Sequence, residues 1–151
     1  MVPGQNVKFV SVTPPAAIID DAAVTTAYID TLGFDYATIG VYGGATDIAM
    51  TVLKVQHSDA SGSGYADIDG LDFDGDTNID GSAAALPSAT DDNLFHVAQI
   101  DLRGKKRYLD VSATVGDGTS GAFVAIFAIL SRAEEAPVTI AQMGCNEVLR
   151  A

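Results

Sequence analysis

The sequence predicts an all-β protein, built as an antiparallel β-sandwich or β-barrel. Short segments rich in Val, Ile, Thr and aromatic residues recur at intervals of about ten residues, which is typical of strands. Clusters of Gly, Asp and Pro separate them and supply turn chemistry. No segment shows the apolar spacing of a convincing amphipathic helix. Eight strands in two sheets would make a jelly roll.

The chain has 151 residues, which is enough for one domain with a real core. We assign residues 1–151 to a single domain: an uncharged N-terminal arm (1–6), the sandwich (7–141) and a C-terminal tail (142–151). The sequence has no apolar run of the roughly 20 residues needed to cross a membrane. It also shows no signal-peptide pattern at its start. Cys145 is the single cysteine, so an internal disulfide is excluded.

The first half of the chain predicts four strands. Residues 7–13 form the first, which Pro14 and Pro15 end because neither can donate to a ladder. Residues 22–29 form the second, followed by a turn at 30–33. Residues 34–41 and 48–57 are predicted to pair as a hairpin closed at Ala45-Thr46-Asp47.

The region after this hairpin is less regular. Residues 65–73 predict one or two short strands. Residues 74–93 then carry turn chemistry almost throughout, and a loop of this length in a compact domain is usually functional or mobile. A further short strand is predicted at residues 138–141.

Three consecutive strand patterns at residues 94–102, 107–115 and 122–130 organise the fold. In the second, apolar and polar residues alternate, which predicts one buried and one solvent-exposed face. The residues expected on the buried face are Leu109, Val111, Ala113 and Val115. The third is apolar on both faces, so we expect a second sheet or a neighbouring subunit to cover each side. This strand favours a protein that works by association.

The chain is strongly acidic, with 20 acidic against 8 basic residues and a net charge of −12. Nucleic-acid binding is therefore not expected, since it relies on clustered Lys and Arg. Four of the basic residues lie together at the predicted hairpin tip between residues 102 and 107: Arg103, Lys105, Lys106 and Arg107. This basic tip either pairs with carboxylates of a neighbouring copy or larger partner, or is a solvated turn that contributes little.

One acidic loop has the spacing of a calcium site. Oxygen-bearing side chains fall at every second position: Asp72, Asp74, Asp76, Asn78 and Asp80. Counted from Asp76, the first six positions match an EF-hand loop, but the twelfth is Pro87 where a bidentate Glu is needed. The alternative is a solvated acidic turn without a cation. No other cofactor is predicted.

The sequence offers no catalytic constellation. No G-x-S-x-G nucleophile motif occurs, and Gly62-Ser63-Gly64 lacks the lysine of a phosphate loop. His57, His96 and Cys145 are too widely spaced for a zinc motif. We therefore expect a protein that is not an enzyme.

Three segments together resemble the head decoration (cement) proteins of tailed bacteriophages. They are residues 29–38, where Ile-Asp-Thr-Leu-Gly leads into a strand; 100–109, around the basic tip; and 128–137, where the apolar strand runs into Ser-Arg-Ala-Glu-Glu-Ala-Pro. The resemblance spans roughly residues 20–137. It carries no catalytic residues.

This resemblance implies an antiparallel β-sandwich of jelly-roll type. It also implies assembly as a trimer on the outer surface of the virion head, where the trimer bridges neighbouring major capsid proteins. The residues expected to contact the capsid or another subunit are Val2, Pro3, Arg103, Lys105, Lys106, Arg107 and Arg132. The expected partners are the major capsid protein and two further copies of this chain, with no nucleic acid or membrane. The alternative is a carbohydrate-binding jelly roll whose acidic loop holds Ca²⁺.

Overall fold

The computed structural model describes residues 6–116, 118–137 and 139–149. Within these ranges the chain forms strands and turns and no helix. The strands are β1 (Lys8–Thr13), β2 (Ile29–Asp30), β3 (Phe34–Gly43), β4 (Val52–Ser58), β5 (Ala66–Asp72), β6 (Phe95–Asp101), β7 (Tyr108–Thr114) and β8 (Val124–Ala133).

The strands form two antiparallel four-stranded sheets. The first has the order β1-β8-β3-β6 and the second the order β2-β7-β4-β5. One hydrophobic cluster draws its buried side chains from both sheets, including Ile39 and Leu130 of the first and Leu53 and Leu109 of the second. The all-β class is confirmed, and the arrangement is consistent with the predicted β-sandwich.

Strand β7 has the burial pattern that its sequence predicts. Leu109, Val111 and Ala113 are at most 3% exposed, and Val115 just beyond the strand is buried as well. The residues between them are half-buried on the opposite face. Strict alternation of apolar and polar residues is therefore enough to orient this strand.

The predicted hairpins are wrong. β3 lies in the first sheet and β4 in the second, so residues 44–51 pass from one sheet to the other. The same holds for β6, β7 and β8, because β7 lies in the opposite sheet from its two sequence neighbours. The basic segment 103–107 is consequently a connection between sheets and not a hairpin tip. Short connecting segments are compatible with a hairpin turn or with a crossover between sheets, and the sequence pattern alone does not distinguish the two.

The predicted strand at residues 22–29 is also largely wrong, since only Ile29 belongs to a strand there. The segment divides its backbone bonds between the two sheets. The N–H of Val24 donates to the carbonyl of Ala113 next to the second sheet, at 2.9 Å, and the N–H of Ala27 donates to the carbonyl of Val12 on β1, at 2.9 Å. A segment that bonds first to one sheet and then to the other cannot form a regular ladder with either.

The long acidic loop between β5 and β6 contains a small turned-back structure. Thr77 and Ala83 form an isolated bridge, and the N–H of Ala84 donates to the carbonyl of Asp76 at 2.6 Å. Further along, the carbonyl of Pro87 accepts from the N–H of Met50 at 2.9 Å. The loop is therefore tied back to the body of the protein after its projecting tip.

The C-terminal segment does not form the strand predicted at residues 138–141. Val138 lies outside the described residues, and Thr139 to Ala141 belong to turns. Met143 is buried, and its carbonyl accepts from the N–H of Phe9 on β1 at 2.8 Å. Together with the bond from Ala27 to Val12, this contact covers the outer edge of β1.

Candidate interaction surfaces

The outer face of the first sheet is apolar. We call it the aromatic face and define it by outward-facing side chains of all four strands: Phe9, Tyr42, Phe95, Val97, Phe127 and Ile129. The strand register places them side by side, with Phe9 opposite Ile129, and Tyr42 opposite Phe95. Phe95 is 62% exposed. We therefore take the aromatic face as the first candidate interaction surface.

The rings of the aromatic face contact one another. The ring centroids of Tyr42 and Phe95 lie 4.6 Å apart, and those of Phe95 and Phe127 lie 6.5 Å apart, edge to face. The ring of Phe127 lies over Gly40, where a Cβ atom would collide with it. Glycine at this position therefore lets the ring lie flat on the sheet, which keeps the face continuous.

Strand β8 was expected to have both of its faces covered, by a second sheet or by a neighbouring subunit. Its inner residues Val124, Ile126, Ala128 and Leu130 are all buried against the second sheet. Its outer residues Ala125, Phe127 and Ile129 are half-buried by neighbouring side chains of the same sheet. The inner cover is the predicted second sheet, whereas the outer side belongs to the aromatic face.

The outer face of the second sheet is polar along β4 and β5, whereas the rings of Tyr28 and Tyr108 lie in edge-to-face contact at its β2 side, with centroids 5.5 Å apart. The ammonium group of Lys54 lies 2.7 Å from a carboxylate oxygen of Asp67, and the side-chain amide of Gln56 donates to the same carboxylate at 2.6 Å. These bonds lower the pKa of Asp67. Asp110 and Ser112 of β7 face the same way. These polar side chains can remain exposed to solvent.

The basic segment is largely paired within the chain. Arg103 binds Asp101, which lowers the pKa of that carboxyl to about 2. Arg107 donates two bonds to the carboxylate of Asp30, at 2.8 and 2.7 Å, and lowers its pKa. Lys106 lies 3.4 Å from Asp59.

Two further cations complete the predicted contact set. Arg132 lies 3.6 Å from Asp35, at the end of β8. Lys105 is exposed, and within the described ranges it has no ion pair. Exposed pairs of this kind contribute little to stability, so these groups can exchange partners at small cost. Val2 and Pro3 lie outside the described residues, and the role of the set in contacts stays a prediction.

Four of the five side chains of the predicted calcium loop bond to their own loop, and Asp74 contributes its backbone N–H. A carboxylate oxygen of Asp76 accepts from the N–H of Asp72 at 2.8 Å, and one of Asp72 accepts from the N–H of Asp74 at 2.9 Å. Asp80 accepts from the N–H and hydroxyl of Ser82, which lowers its pKa. Asn78 donates to Ser82 and Ala83.

These bonds shape the projecting turn and do not bring the oxygens together. Among residues 6–116, 118–137 and 139–149, no group of three or more His, Cys, Asp or Glu side chains could hold a metal ion. The calcium site of the carbohydrate-binding alternative therefore has no cluster of carboxylates in the described part of the chain, and it stays a prediction.

The two histidines lie in different sheets, His57 on β4 and His96 on β6. Burial, followed by the charges of Lys106 and Lys105, lowers the pKa of His57, whose Nδ1 accepts from the N–H of Lys106 at 3.3 Å. Burial also lowers the pKa of His96. Both are therefore half-buried strand residues whose surroundings favour the neutral form.

A groove that the sequence did not reveal runs between β5 and β6. Its larger part is a cavity of about 420 Å³ lined by residues of both strands and of the acidic loop, among them Leu71, Phe73, Ile79 and Val97. Ile79 is fully exposed at its mouth. The unusual length of the acidic loop was the one sequence signal that pointed to this region.

Comparisons with known proteins do not place the chain in a family. No protein-family model matches the sequence, and a search of curated proteins finds no significant relative.

Helices able to span a membrane were also sought, and the described residues contain none.

Proposed function

We propose that this protein is a decoration protein of a tailed-bacteriophage head, which binds the outer capsid surface as a trimer and ties neighbouring major capsid proteins together. The observation that carries the proposal is the aromatic face. The sequence resemblance described above suggests the identity of the partner.

The strand order supports the jelly-roll type. Adjacent partners in the two sheets are β1 with β8, β2 with β7, β3 with β6, and β4 with β5. This is the pairing of one long hairpin of eight strands, folded over and wrapped into two layers. Jelly rolls of this kind are common in viral capsid proteins and in lectins. We infer the jelly-roll topology from this order.

The aromatic face is suited to holding a large partner. Its side chains are not required to fill the core, which lies on the other side of the sheet. Covering apolar surface contributes about 25 cal/mol per Å². In a trimer three such faces act together, and linked contacts raise the overall affinity well above that of one copy.

The charge distribution supports the trimer. A ring of three copies needs a head-to-tail interface, in which one surface of a copy meets a different surface of the next. Exposed Lys105, together with the weakly held cations beside it, can approach the acidic surface of a neighbouring copy. The remaining acidic surface would keep virions apart by mutual repulsion.

Binding to capsids tests the function. Purified protein is mixed with expanded heads that lack decoration, and the bound amount is measured by sedimentation. We expect saturation near one trimer per three-fold position. Heads that bind no protein at any concentration would contradict the proposal.

A pair of variants tests the aromatic face. Phe95→Ser should reduce head binding by about tenfold or more, because an interface aromatic is lost. Leu32→Ser is the matched control, since Leu32 is similarly exposed (66%) but follows β2 of the second sheet. Equal binding by the two variants, with unchanged unfolding curves, would show that another surface binds the head.

A further inference from the structure

Strand β6 is an edge strand with one open side. It pairs with β3 alone. The N–H of Leu102 donates to the carbonyl of Asp35, so the even-numbered residues of β6 direct their backbone polar groups toward β3. Residues at odd positions, including Val97 and Gln99, consequently direct their N–H and C=O groups away from β3. No hydrogen bond within the described ranges reaches these outward groups. Such an edge is a template for another strand.

The groove lies directly beside this edge. β5 is the edge of the second sheet, and the space between β5 and β6 holds two adjoining cavities of about 420 and 280 Å³. Leu71 and Gln99 line both cavities. A strand paired to β6 would direct every second side chain toward this space, where the exposed Ile79 and the ring of Phe73 offer apolar contacts.

The rim of the groove is acidic at its larger cavity. Asp72 and Asp76 line this cavity, with Asp74 between them in sequence, and none of the described residues that line it is a lysine or arginine. The nearby Lys54 is already bound to Asp67. The smaller cavity is mixed in charge, with Asp69 and Asp101 beside Arg103 and Lys105. The larger cavity therefore favours an occupant that carries lysine or arginine at that end.

We propose that β6 accepts an extended segment of a partner protein as an added strand, with apolar side chains in the groove and cationic residues against the acidic rim. Backbone bonds to Val97 and Gln99 supply the pairing, and the cavity and the rim select the sequence. This interaction goes beyond capsid decoration and does not depend on it, since any protein with such a segment can occupy the groove.

Defined peptides test the proposal. The probes are blocked ten-residue peptides of alternating Val and Thr, with two lysines or two glutamates at one end or the other. Binding is followed by fluorescence anisotropy and by amide hydrogen exchange. At least one lysine-bearing peptide should saturate and slow exchange at Val97 and Gln99 by about tenfold or more, and its glutamate counterpart should bind at least about tenfold more weakly.

Two variants locate the site. Val97→Pro removes an N–H that faces away from β3, which an edge strand tolerates, and should abolish peptide binding while the fold persists. Asp74→Lys, between the two carboxylates that line the larger cavity, should weaken the lysine peptide by about threefold or more without touching the backbone. Glu147→Lys, in the tail that follows Met143 on the opposite edge of the first sheet, makes the same charge change and should leave binding unaltered.

Three results would overturn the proposal. The first is no saturable binding of any peptide up to about 1 mM, a range that covers weak strand addition. The second is binding of the lysine peptide that Asp74→Lys does not weaken. The third is protection of Val97 and Gln99 that grows with protein concentration in the absence of peptide, which would assign the edge to a second copy. Failure to bind capsids has no bearing on these results, so the two proposals fail separately.

Discussion

The outer faces of the two sheets differ, although both sheets serve the same core. The aromatic face of the first sheet presents phenylalanine, tyrosine and valine side chains to solvent. The outer face of the second sheet presents charged and hydroxyl side chains, joined by the bonds of Lys54 and Gln56 to Asp67. Folding requires only that the inner faces be apolar. The aromatic face therefore goes beyond what folding requires and has the character of a binding surface.

The distinction between inner and outer faces would fail most clearly if the outer residues of β8 contributed as much to stability as the inner ones. Leu130 is completely buried, and Leu130→Ala should lower the free energy of unfolding by about 2–5 kcal/mol, because it leaves a cavity between the sheets. Ile129→Ala, the adjacent residue on the aromatic face, should cost clearly less. Urea unfolding of both variants measures the difference, and equal losses would contradict the division into inner and outer faces.

The contact between Phe127 and Gly40 allows packing within the aromatic face to be tested separately from packing in the core. Gly40→Ala should destabilise the protein by about 1–3 kcal/mol, because the added methyl group displaces the ring of Phe127. Combining it with Phe127→Leu should recover part of the loss, as expected for residues in direct contact. Additive effects in a double-mutant cycle would show that ring and glycine do not interact.

Each sheet holds one histidine whose pKa is lowered, so acidification should reduce stability through a group in each sheet. Below pH 6.5 the unfolded chain takes up protons at positions 57 and 96 that the folded chain resists. The stability that the neutral forms confer is therefore complete above pH 6.5 and is lost as the pH falls through the lowered values. Unfolding free energies measured from pH 7.5 to 5.5 should decline.

The double variant His57→Gln with His96→Gln serves as the control for this slope. It removes both groups that titrate in this range and should flatten the decline. A slope that survives in the double variant would assign the effect to carboxyl groups instead.

The smallest effect is expected on the polar face. Lys54→Gln removes the ion pair with Asp67, and unfolding curves in low and high salt should nearly coincide with those of the unaltered protein, because exposed pairs contribute little. A large, salt-sensitive loss would mean that the polar face also holds the sheets together.

Side-chain orientation was predictable from the sequence where the pattern was unambiguous. The alternation in β7 identified its buried residues, and the apolar composition of β8 identified both Leu130 and Phe127 as residues in need of cover. Strand partners were not predictable in the same way. The links at residues 44–51 and 103–107 have ordinary turn composition, and whether they close a hairpin or cross between sheets depends on contacts distant in sequence.

The candidate surfaces were harder to predict than the strands. The aromatic face brings together Phe9, Tyr42 and Phe95 from three separate strands, and only the sheet order makes them neighbours. The groove depends on β5 and β6 both being edges, a property of topology that no local pattern encodes. The acidic loop had calcium-like spacing, but its carboxylates are engaged in shaping the turn that carries Ile79.

The two sides of the first sheet are closed to different degrees. Ala27 and Met143 bond to β1 and cover its edge, whereas β6 is open. A sheet that is open at both sides can propagate into a filament, with each unit extending the last. Here the protein's own backbone already bonds to one side, so we expect an added strand to pair only with the other side, with one added segment per chain.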